Sequence, residues 1–280
     1  MLVIVPCDPL RPRRVDPHFA PEATAARHAG LDVVVIDHDA LVRAEAERAI
    51  ARVDATGLAV YRGWMLSSVQ YAAFAEALAR RGVTLRTSPT HYRRAHELPG
   101  WYPQVAELTA ESVWTTGTGR DLFDSCRARL GSGPAVLRDY TKSLKHHWDE
   151  AVFIPDVADG EAAWRVAHRF LQLRGEDLAG GLVLRRYEKF TSAEVRTWWV
   201  AGHCVLVSAH PDTPDHLPPP DLDLAPFSSA VAALNLPFVT VDLVQRADGV
   251  WRIVEVGDGQ VSDRPSSTDP ASFIAALFNR

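Results

Sequence analysis

The stretch VDLVQRADGVWRIVEVGDGQVSDRP, residues 241–265, carries the strongest structural pattern in this chain. Two apolar segments flank the four residues Arg246-Ala247-Asp248-Gly249, and the Asp-Gly pair tolerates the positive φ that tight hairpin turns need. The pattern therefore predicts a β-hairpin. Each predicted strand contains one acid among apolar residues, Asp242 in the first and Glu255 in the second.

These two acids predict a cation. Carboxylates embedded among β-branched residues are costly to bury unless a positive charge lies between them. Mg²⁺ prefers hard oxygen ligands and is commonly held by one or two carboxylates together with substrate phosphates. We therefore expect Asp242 and Glu255 to be metal ligands and nucleotide chemistry to be the function. The alternative is that both acids lie on the wet face of an antiparallel sheet.

The composition is that of an ordinary globular protein with one large or two modest domains: 280 residues, 47% hydrophobic and 23% charged. The formal net charge of −5 gives no reason to expect nucleic-acid or membrane binding, and no apolar run has the length of a membrane span. Three widely spaced cysteines predict reduced thiols in a cytoplasmic protein, and the N-terminal charges follow the apolar run, unlike those of a secretory signal. The Ala- and Arg-rich, Lys-poor composition is typical of a GC-rich bacterial gene.

The first third of the chain alternates strands and helices. Short apolar runs at residues 2–6, 31–36, 58–61 and 83–85 predict buried parallel strands, with helical segments between them. This pattern predicts an open parallel αβ lobe over residues 1–88. Residues 89–131 are expected to be a connector of helices and loops.

A second αβ region is predicted over residues 132–280, so the class is α/β with an α+β second half. Strands are expected at residues 135–138, 182–185, 195–200, 204–207 and in the hairpin, and helices near 160–174, 225–234 and 269–278. Glycine turns and short strand spacing favour antiparallel sheets here.

A polar loop follows the first strand of this second region. Arg138 ends the strand, and the loop contains Lys142, Ser143 and Lys145. Cations neutralise a triphosphate, while a hydroxyl and backbone N–H groups donate hydrogen bonds to it. The loop therefore predicts phosphate binding, with a merely solvated loop as the alternative.

Further arginines lie at strand ends. Arg185 and Arg186 end one strand and face opposite sides, so only one of them can join Arg138 and Arg196 on the side of the acids. Arginine is preferred over lysine where a planar fork must hold phosphate or carboxylate. These strands therefore predict an anion site.

Substrate-binding candidates come from both ends of the chain. Arg62 ends a first-lobe strand and is followed by Gly63 and Trp64, at the edge where open α/β sheets bind ligands. Arg264 follows the hairpin motif. Arg62, Arg196 and Arg264 suit an anionic acceptor such as an amino acid or peptide carboxylate. Core packing is the alternative for Trp64.

In their order, these segments resemble the ATP-grasp superfamily of carboxylate–amine ligases, and within it the compact bacterial clade named for two Arg and one Lys. The resemblance covers most of the chain. It rests on residues 61–65, 88–92, 96, 136–143, 182–187, 194–196, 202 and 255–260.

The resemblance implies an ATP-grasp fold in which ATP lies between two antiparallel sheets. Arg138 or Lys142 would contact the phosphates, and Asp242 and Glu255 would hold Mg²⁺. The implied adenine hinge, after Leu184, consists of Arg185, Arg186, Tyr187 and Glu188. In such enzymes ATP phosphorylates a carboxylate, and an amine attacks the acyl phosphate to give an amide, ADP and phosphate. The implied catalytic residues, which would stabilise the transferred phosphoryl group, are Arg138, Arg196 and Arg264.

Two positions depart from the superfamily. Many members carry Glu where this chain has Arg186, which affects a side-chain contact to ribose. The last metal ligand is often Asn, where this chain has Gly257, so a second Mg²⁺ would depend on Asp258. These departures keep two alternatives open: a weak or inactive ATP-binding module that regulates a partner, and an ATP-dependent phosphotransferase. The expected partner is a small-molecule, amino-acid or peptide substrate, whose identity the sequence does not determine.

Overall fold

A computed structural model describes residues 1–278 of the chain. The helices are α1 (Ala20–His28), α2 (His38–Val42), α3 (Ala46–Ala49), α4 (Ser68–Arg80), α5 (Pro89–His96), α6 (Leu98–Val105), α7 (Arg120–Leu130), α8 (Gly160–Arg174), α9 (Ala225–Ala233) and α10 (Pro270–Phe278). The strands are β1 (Leu2–Asp8), β2 (Arg11–Val15), β3 (Asp32–Ile36), β4 (Gly57–Tyr61), β5 (Val83–Leu85), β6 (Ser112–Trp114), β7 (Ala135–Asp139), β8 (Phe153–Ile154), β9 (Leu182–Arg186), β10 (Val195–Val200), β11 (His203–Ala209), β12 (Phe238–Gln245) and β13 (Trp251–Asp258).

The chain forms two compact units, neither of which is continuous in sequence. Unit 1 contains Met1–Ala95, Ala193–Leu243 and the described residues from Glu255 onward, and unit 2 contains His96–Ser192 and Val244–Val254. The predicted divisions after residues 88 and 131 run along the chain and remain a proposal. The compact units differ from them because β12 and β13 each contribute residues to both units.

The first sheet belongs to unit 1 and confirms the predicted open parallel sheet. Strands β3, β1, β4 and β5 are hydrogen-bonded side by side in parallel register. Strand β2 was not predicted, and it pairs antiparallel with the end of β1. Its sequence Arg11-Pro12-Arg13-Arg14-Val15 is exposed and lacks apolar alternation, which explains the missing signal. Charged residues and proline are typical of such edge strands.

The second sheet, in the order β11-β10-β12-β13, contains the predicted closing hairpin. Strand β10 is antiparallel to both β11 and β12. The hairpin turn lies where it was predicted: Arg246 N–H donates to the Val250 carbonyl at 2.8 Å, and Gly249 has a φ of 86°. The residues of this turn belong to unit 2, whereas Asp242 and Glu255 belong to unit 1.

The third sheet belongs to unit 2 and has the order β6-β9-β7-β8, with antiparallel pairing throughout. Strand β6 lies within the predicted helical connector, and its three residues are too few for a period-two pattern. Helix α8 has the predicted bounds, and the Asp159 side chain caps it by accepting the Ala162 N–H at 3.0 Å.

Each unit has its own apolar core. In unit 1, Trp198, Phe238 and Phe273 pack with Val3 and Val5 of β1, while a second cluster lies around Tyr61, Tyr71 and Phe74. In unit 2 the core is built mainly from β7, β9, α7 and α8. Among the described residues, the helices are all too short or too polar to cross a bilayer.

Candidate active site

The register of the second sheet brings charged side chains together in unit 1. Arg196 of β10 lies directly opposite Asp242 of β12 and Ser208 of β11. Glu194 is two residues before Arg196, and His210 is two residues after Ser208. Since side chains two apart share a sheet face, all of these groups point to one side. We call Glu194, Arg196, His210 and Asp242 the charged cluster.

A bidentate ion pair between Arg196 and Asp242 forms the centre of the charged cluster. Arg196 Nε donates to Asp242 Oδ1 and Nη2 donates to Oδ2, each at 2.8 Å. The same guanidinium donates through Nη1 to the Asp263 carbonyl and lies 3.1 Å through Nη2 from His210 Nε2. Four contacts therefore fix the orientation of Arg196, one of the predicted catalytic residues.

Carboxylates outnumber guanidinium groups in this cluster. Burial alone would lower the pKa of Arg196, but the charges of Asp242, Glu255 and Glu194 outweigh it, and the pKa is raised. The hard oxygen donors of these carboxylates suit Mg²⁺.

The charged cluster also contains a set of atoms at metal-ligand spacing. Ligand atoms of Glu194, His210 and Asp242 all lie within 4.8 Å of one another. His210 Nε2 is 3.8 Å from Glu194 Oε2 and 3.7 Å from Asp242 Oδ2. Asp242 was predicted as a ligand, whereas Glu194 and His210 were missed. No spacing along the sequence indicates them, because the pairing of β10, β11 and β12 brings them together.

The third predicted metal ligand, Asp258, lies elsewhere in unit 1. Its side chain is 1% exposed, and Oδ1 accepts the Gln260 N–H at 2.9 Å. Burial raises the pKa of the Asp258 carboxyl to about 7. Burial also raises the pKa of Tyr71 and of Tyr92, and the Asp258 charge adds to both rises. The structure therefore places Asp258 among aromatic groups and does not include it in the charged cluster.

The rest of the Gly257–Gln260 motif is used in packing. The Gln260 side chain is fully buried; it accepts the Tyr61 N–H at 3.0 Å and donates to the Tyr71 hydroxyl at 2.7 Å. A Cβ at Gly259 would lie 2.5 Å from the Phe238 ring, so only glycine fits there. This motif therefore joins the end of β13 to the end of β4 within unit 1.

Arg62, a predicted substrate-binding residue, is completely buried. It donates to Glu22 through Nε at 2.8 Å and Nη2 at 3.2 Å, and its Nη1 donates to the carbonyls of Gly259, Gln260 and Ser262. Arg264 lies beside the same pair, with Nε 3.4 Å from Glu22. Both arginines therefore make contacts inside unit 1, and neither has a guanidinium group exposed to bind an anion.

Trp64 has a different environment from Arg62. The indole is 39% exposed and packs against the rings of His18 and Phe19, with centroids 4.6 and 4.9 Å away. It does not belong to the core, so the structure leaves Trp64 available for substrate contact.

In unit 2, the polar loop after β7 is built around Asp139. This buried carboxylate accepts the N–H groups of Thr141 and Lys142 at 2.7 and 2.6 Å and pairs with Arg174 at 2.8 Å. Arg138 is also buried and donates to the Thr141 carbonyl at 2.9 Å. The loop is therefore held rigidly, and the Lys142 side chain is exposed on it.

The other predicted residues of this loop are Ser143 and Lys145, which are half-buried and exposed. Burial, and secondarily the charge of Lys142, lowers the pKa of His96 to about 3. His96 is therefore neutral, and Lys142 and Lys145 supply the exposed positive charge in this part of the loop.

The predicted hinge arginines are engaged by the protein itself. Arg185 donates to the Ile253 and Val254 carbonyls and to the Thr109 hydroxyl. Arg186 donates to the carbonyls of Ser132 and Leu130. They lie on opposite faces, as predicted, and each ties β9 to a neighbouring segment of unit 2.

The two following hinge residues differ from one another. Glu188 pairs with Arg246 at 3.1 Å and with Arg252 at 3.2 Å. Tyr187 is exposed and packs with Trp148 and Phe153 in an aromatic group. The sequence did not indicate this group, because the loop that carries Trp148 is brought to β9 only by the fold.

Comparison with known proteins identifies the family. Residues 129–277 match a model of the ATP-grasp domain, family 3 of the clade named for two Arg and one Lys, and the match covers just over half of the chain. A comparison with curated proteins finds no match.

Solved structures with the same fold include the following three. The RimK domain ATP-grasp protein from Sphaerobacter thermophilus is 16% identical, with a TM-score of 0.63 and complete coverage of both chains. The D-cycloserine synthetase DcsG is 18% identical, with a TM-score of 0.66 over 99% of this chain and 98% of its own. The ATP-grasp ligase PsnB, in complex with minimal precursor, Mg and ADP, is 12% identical, with a TM-score of 0.56 over 99% and 97%. The chain belongs to family 3 of this two-Arg, one-Lys clade of ATP-grasp domains.

Proposed function

We propose that this protein is an ATP- and Mg²⁺-dependent ligase that joins a carboxylate to an amine through an acyl phosphate and releases ADP and phosphate. Family membership makes the chain an ATP-dependent ligase. The bond formed, the acyl phosphate and the metal are the proposed part. The free thiols of Cys7, Cys126 and Cys204 support a cytoplasmic location.

The observation that carries this proposal is the set of ligand atoms in the charged cluster of unit 1, where those of Glu194, His210 and Asp242 lie within 4.8 Å of one another. Asp242, Glu194 and Glu255 all act on one guanidinium. We propose Asp242 and Glu255 as the Mg²⁺ ligands, in agreement with the sequence, and do not retain Asp258. The ion would supply charge neutralisation for the phosphates of ATP when bound.

Arg196 is the proposed catalytic residue. Its guanidinium is held by Asp242, by the Asp263 carbonyl and by His210, so it needs no reorganisation when charge develops. We propose that it stabilises the transferred phosphoryl group. Arg264 and Arg138, which are held in contacts with their own units, are proposed to position their segments.

Unit 2 is proposed to contribute nucleotide contacts. Lys142, together with Lys145 and Ser143, would neutralise phosphate from the loop that Asp139 fixes. The exposed ring of Tyr187 would lie against adenine, since it follows the hinge strand β9. Arg185, Arg186 and Glu188 would hold the hinge in shape through their contacts with β13 and its neighbours.

The test is a screen of amino acids and short peptides with Mg²⁺-ATP, with ADP, phosphate and product mass measured together. PsnB is a ligase whose structures contain precursor peptide, so peptides belong in the panel. The proposal expects ADP and phosphate only when both co-substrates are present. ADP without free phosphate would indicate a phosphotransferase. Thermal stabilisation by ATP without turnover would indicate a regulatory binding module.

A further inference from the structure

We propose that Glu194, His210 and Asp242 bind a divalent transition-metal ion of the Zn²⁺ class, and that the Arg196 guanidinium competes with this ion for His210. We call the three ligands the metal triad. The inference goes beyond the proposed ligase function, because it concerns a cation other than the Mg²⁺ that accompanies ATP and does not require turnover.

His210 is the residue of the charged cluster that Mg²⁺ chemistry does not explain. The proposed Mg²⁺ ligands, Asp242 and Glu255, are carboxylates, as expected for an ion that prefers oxygen. An imidazole nitrogen instead suits Zn²⁺, Ni²⁺ and Cu²⁺. The His210 ring is only 9% exposed, and its Nε2 atom lies 3.7 Å from Asp242 Oδ2 and 3.8 Å from Glu194 Oε2. One nitrogen beside two carboxylate oxygens is therefore a donor set for a transition metal.

The spacing of the metal triad fits a single ion. Zn²⁺ binds nitrogen and carboxylate oxygen at about 2.0–2.2 Å, so two ligand atoms of one ion lie at most about 4.3 Å apart. Both distances from His210 Nε2 meet this limit, and the ligand atoms of all three residues lie within 4.8 Å of one another. The paired strands β10, β11 and β12 hold the three residues in place. Three protein ligands leave a fourth tetrahedral position for water.

The other nitrogen of the His210 ring faces Asp212. The backbone nitrogen of Asp212 is 3.2 Å from His210 Nδ1, and its carboxylate Oδ2 is 3.6 Å from the same atom. Because the charged guanidinium of Arg196 donates towards Nε2, the ring has its lone pair on Nε2 and its proton on Nδ1, where the Asp212 carboxylate can accept it. A carboxylate behind the imidazole is the usual arrangement of a metal-binding histidine.

Arg196 contacts two of the three ligand atoms in the structure. Its Nη2 atom is 3.1 Å from His210 Nε2 and 2.8 Å from Asp242 Oδ2. A neutral imidazole nitrogen has one lone pair, so His210 Nε2 can bind the guanidinium or the metal ion but not both. Binding of the ion therefore releases Arg196 from His210. Since Arg196 is the proposed catalytic residue, a transition metal in the triad would regulate it.

The test measures binding of Zn²⁺ and of Mg²⁺ to the full chain without ATP, by titration calorimetry. We expect Zn²⁺ to bind at least about tenfold more tightly than Mg²⁺. His210→Gln keeps an acceptor for Arg196 but removes the imidazole, and it should weaken Zn²⁺ binding at least about tenfold. Arg196→Lys keeps a cation beside Asp242 but removes the fork that reaches His210. It should tighten Zn²⁺ binding about three- to tenfold, the size of one hydrogen bond.

The matched control is His28→Gln, which removes an exposed imidazole of α1 in the same unit and should bind Zn²⁺ like the parent. Circular dichroism checks that each variant is folded. The metal triad is overturned if Zn²⁺ binds no more tightly than Mg²⁺, or if folded His210→Gln binds Zn²⁺ like the parent. Unchanged affinity in Arg196→Lys would overturn the competition. Absorption of the Co²⁺ complex is a second readout, because a thiolate charge-transfer band would assign the ion to a cysteine and reject the triad.

The outcome is independent of the ligase assignment, because binding is measured without ATP. Zn²⁺ binding that depends on His210, together with no ADP release for any pair of co-substrates, would retain the metal triad and reject the proposed function. ADP release with Mg²⁺-ATP, together with Zn²⁺ binding that does not depend on His210, would retain the function and reject the metal triad.

Discussion

Unit 1 contains two buried arginine–carboxylate pairs with different surroundings. Arg62 and Glu22 are almost completely inaccessible, and the remaining donors of Arg62 are taken up by three backbone carbonyls. Arg196 and Asp242 are nearly as buried, yet Glu194, Glu255 and His210 lie around them. The first pair is enclosed by backbone carbonyls and a second arginine, Arg264, whereas carboxylates and an imidazole lie around the second.

The difference separates a structural pair from a candidate site. A buried ion pair persists when every donor and acceptor is satisfied by the protein, as for Arg62. Buried carboxylates are costly without a cation, and we propose that Mg²⁺ joins those beside Arg196. Burial of an arginine therefore does not by itself indicate function; the kind of group around it does.

The largest expected effect is on stability, when Arg62 is removed from its pair with Glu22. Arg62→Met should lower the free energy of unfolding by about 3–5 kcal/mol, because it leaves Glu22 buried without its nearest cation and removes a donor from three carbonyls. Urea unfolding measures this. The matched control is Arg80→Met, which removes an exposed pair with Glu47 and should change the free energy of unfolding far less than Arg62→Met does. Similar losses for the two variants would contradict the structural role of Arg62.

Removal of a charge beside the Arg196–Asp242 pair should lower activity more than stability. Glu255→Gln keeps the shape of the side chain but removes its charge, and we expect turnover with Mg²⁺-ATP to fall at least about a hundredfold, or about 2.7 kcal/mol. Steady-state ADP release is the measurement. Glu76→Gln, at an exposed position of the same unit, should leave the rate unchanged. Undiminished turnover of Glu255→Gln would reject the metal assignment.

Asp258 is a third buried carboxyl of unit 1 and lies outside both arginine–carboxylate pairs. Its pKa is raised to about 7 by burial, so between about pH 4 and 7 the folded state holds a proton that the unfolded state has lost. Stability contributed by this proton is complete below about pH 4 and is lost as pH rises through about 7.

Asp258→Asn should remove this pH dependence. We expect the variant to gain up to about 3 kcal/mol relative to the parent between about pH 5 and pH 8, since each unit of pKa shift corresponds to about 1.4 kcal/mol. Thermal unfolding of both proteins at the two pH values measures the difference. Parallel pH profiles would show that Asp258 is ionised in the folded protein throughout this range.

The smallest expected effect is in unit 2, where charge is exposed. Lys142→Ala should raise the KM for ATP about five- to tenfold, because one solvated cation contributes about 1–1.4 kcal/mol to phosphate binding. Initial rates over a range of ATP concentrations measure this. Arg165→Ala removes an exposed cation of α8 and serves as control. An unchanged KM in Lys142→Ala would return Lys142 to the solvated-loop interpretation.

Much of the fold was predictable because its signals are local. The parallel strands of unit 1 were predicted from continuous apolar runs, α8 from its helical spacing, and the closing hairpin from Asp248-Gly249. Strands β2, β6 and β8 were missed because they are polar or only a few residues long. Pairing with neighbouring strands determines their conformation, because their sequences have no alternating apolar pattern.

The candidate site was less predictable. Asp242 and Arg196 were identified from sequence, and the register of β10 and β12 pairs them directly. His210 and Glu194 join them only through strand pairing. Asp258 was expected to hold a second Mg²⁺, but Asp258, Gly259 and Gln260 are buried in packing contacts of unit 1.

By itself, the sequence determined the types of element, the hairpin and the acids and bases available for chemistry, because these depend on periodicity and residue type. Only the tertiary structure decided which groups surround each charge. Arg62 and Arg196 look alike in sequence, each beside a strand with apolar neighbours. Glu22 and three carbonyls saturate the first, whereas strand register surrounds the second with carboxylates, because hydrogen-bond partners and charge balance depend on segments far apart in the chain.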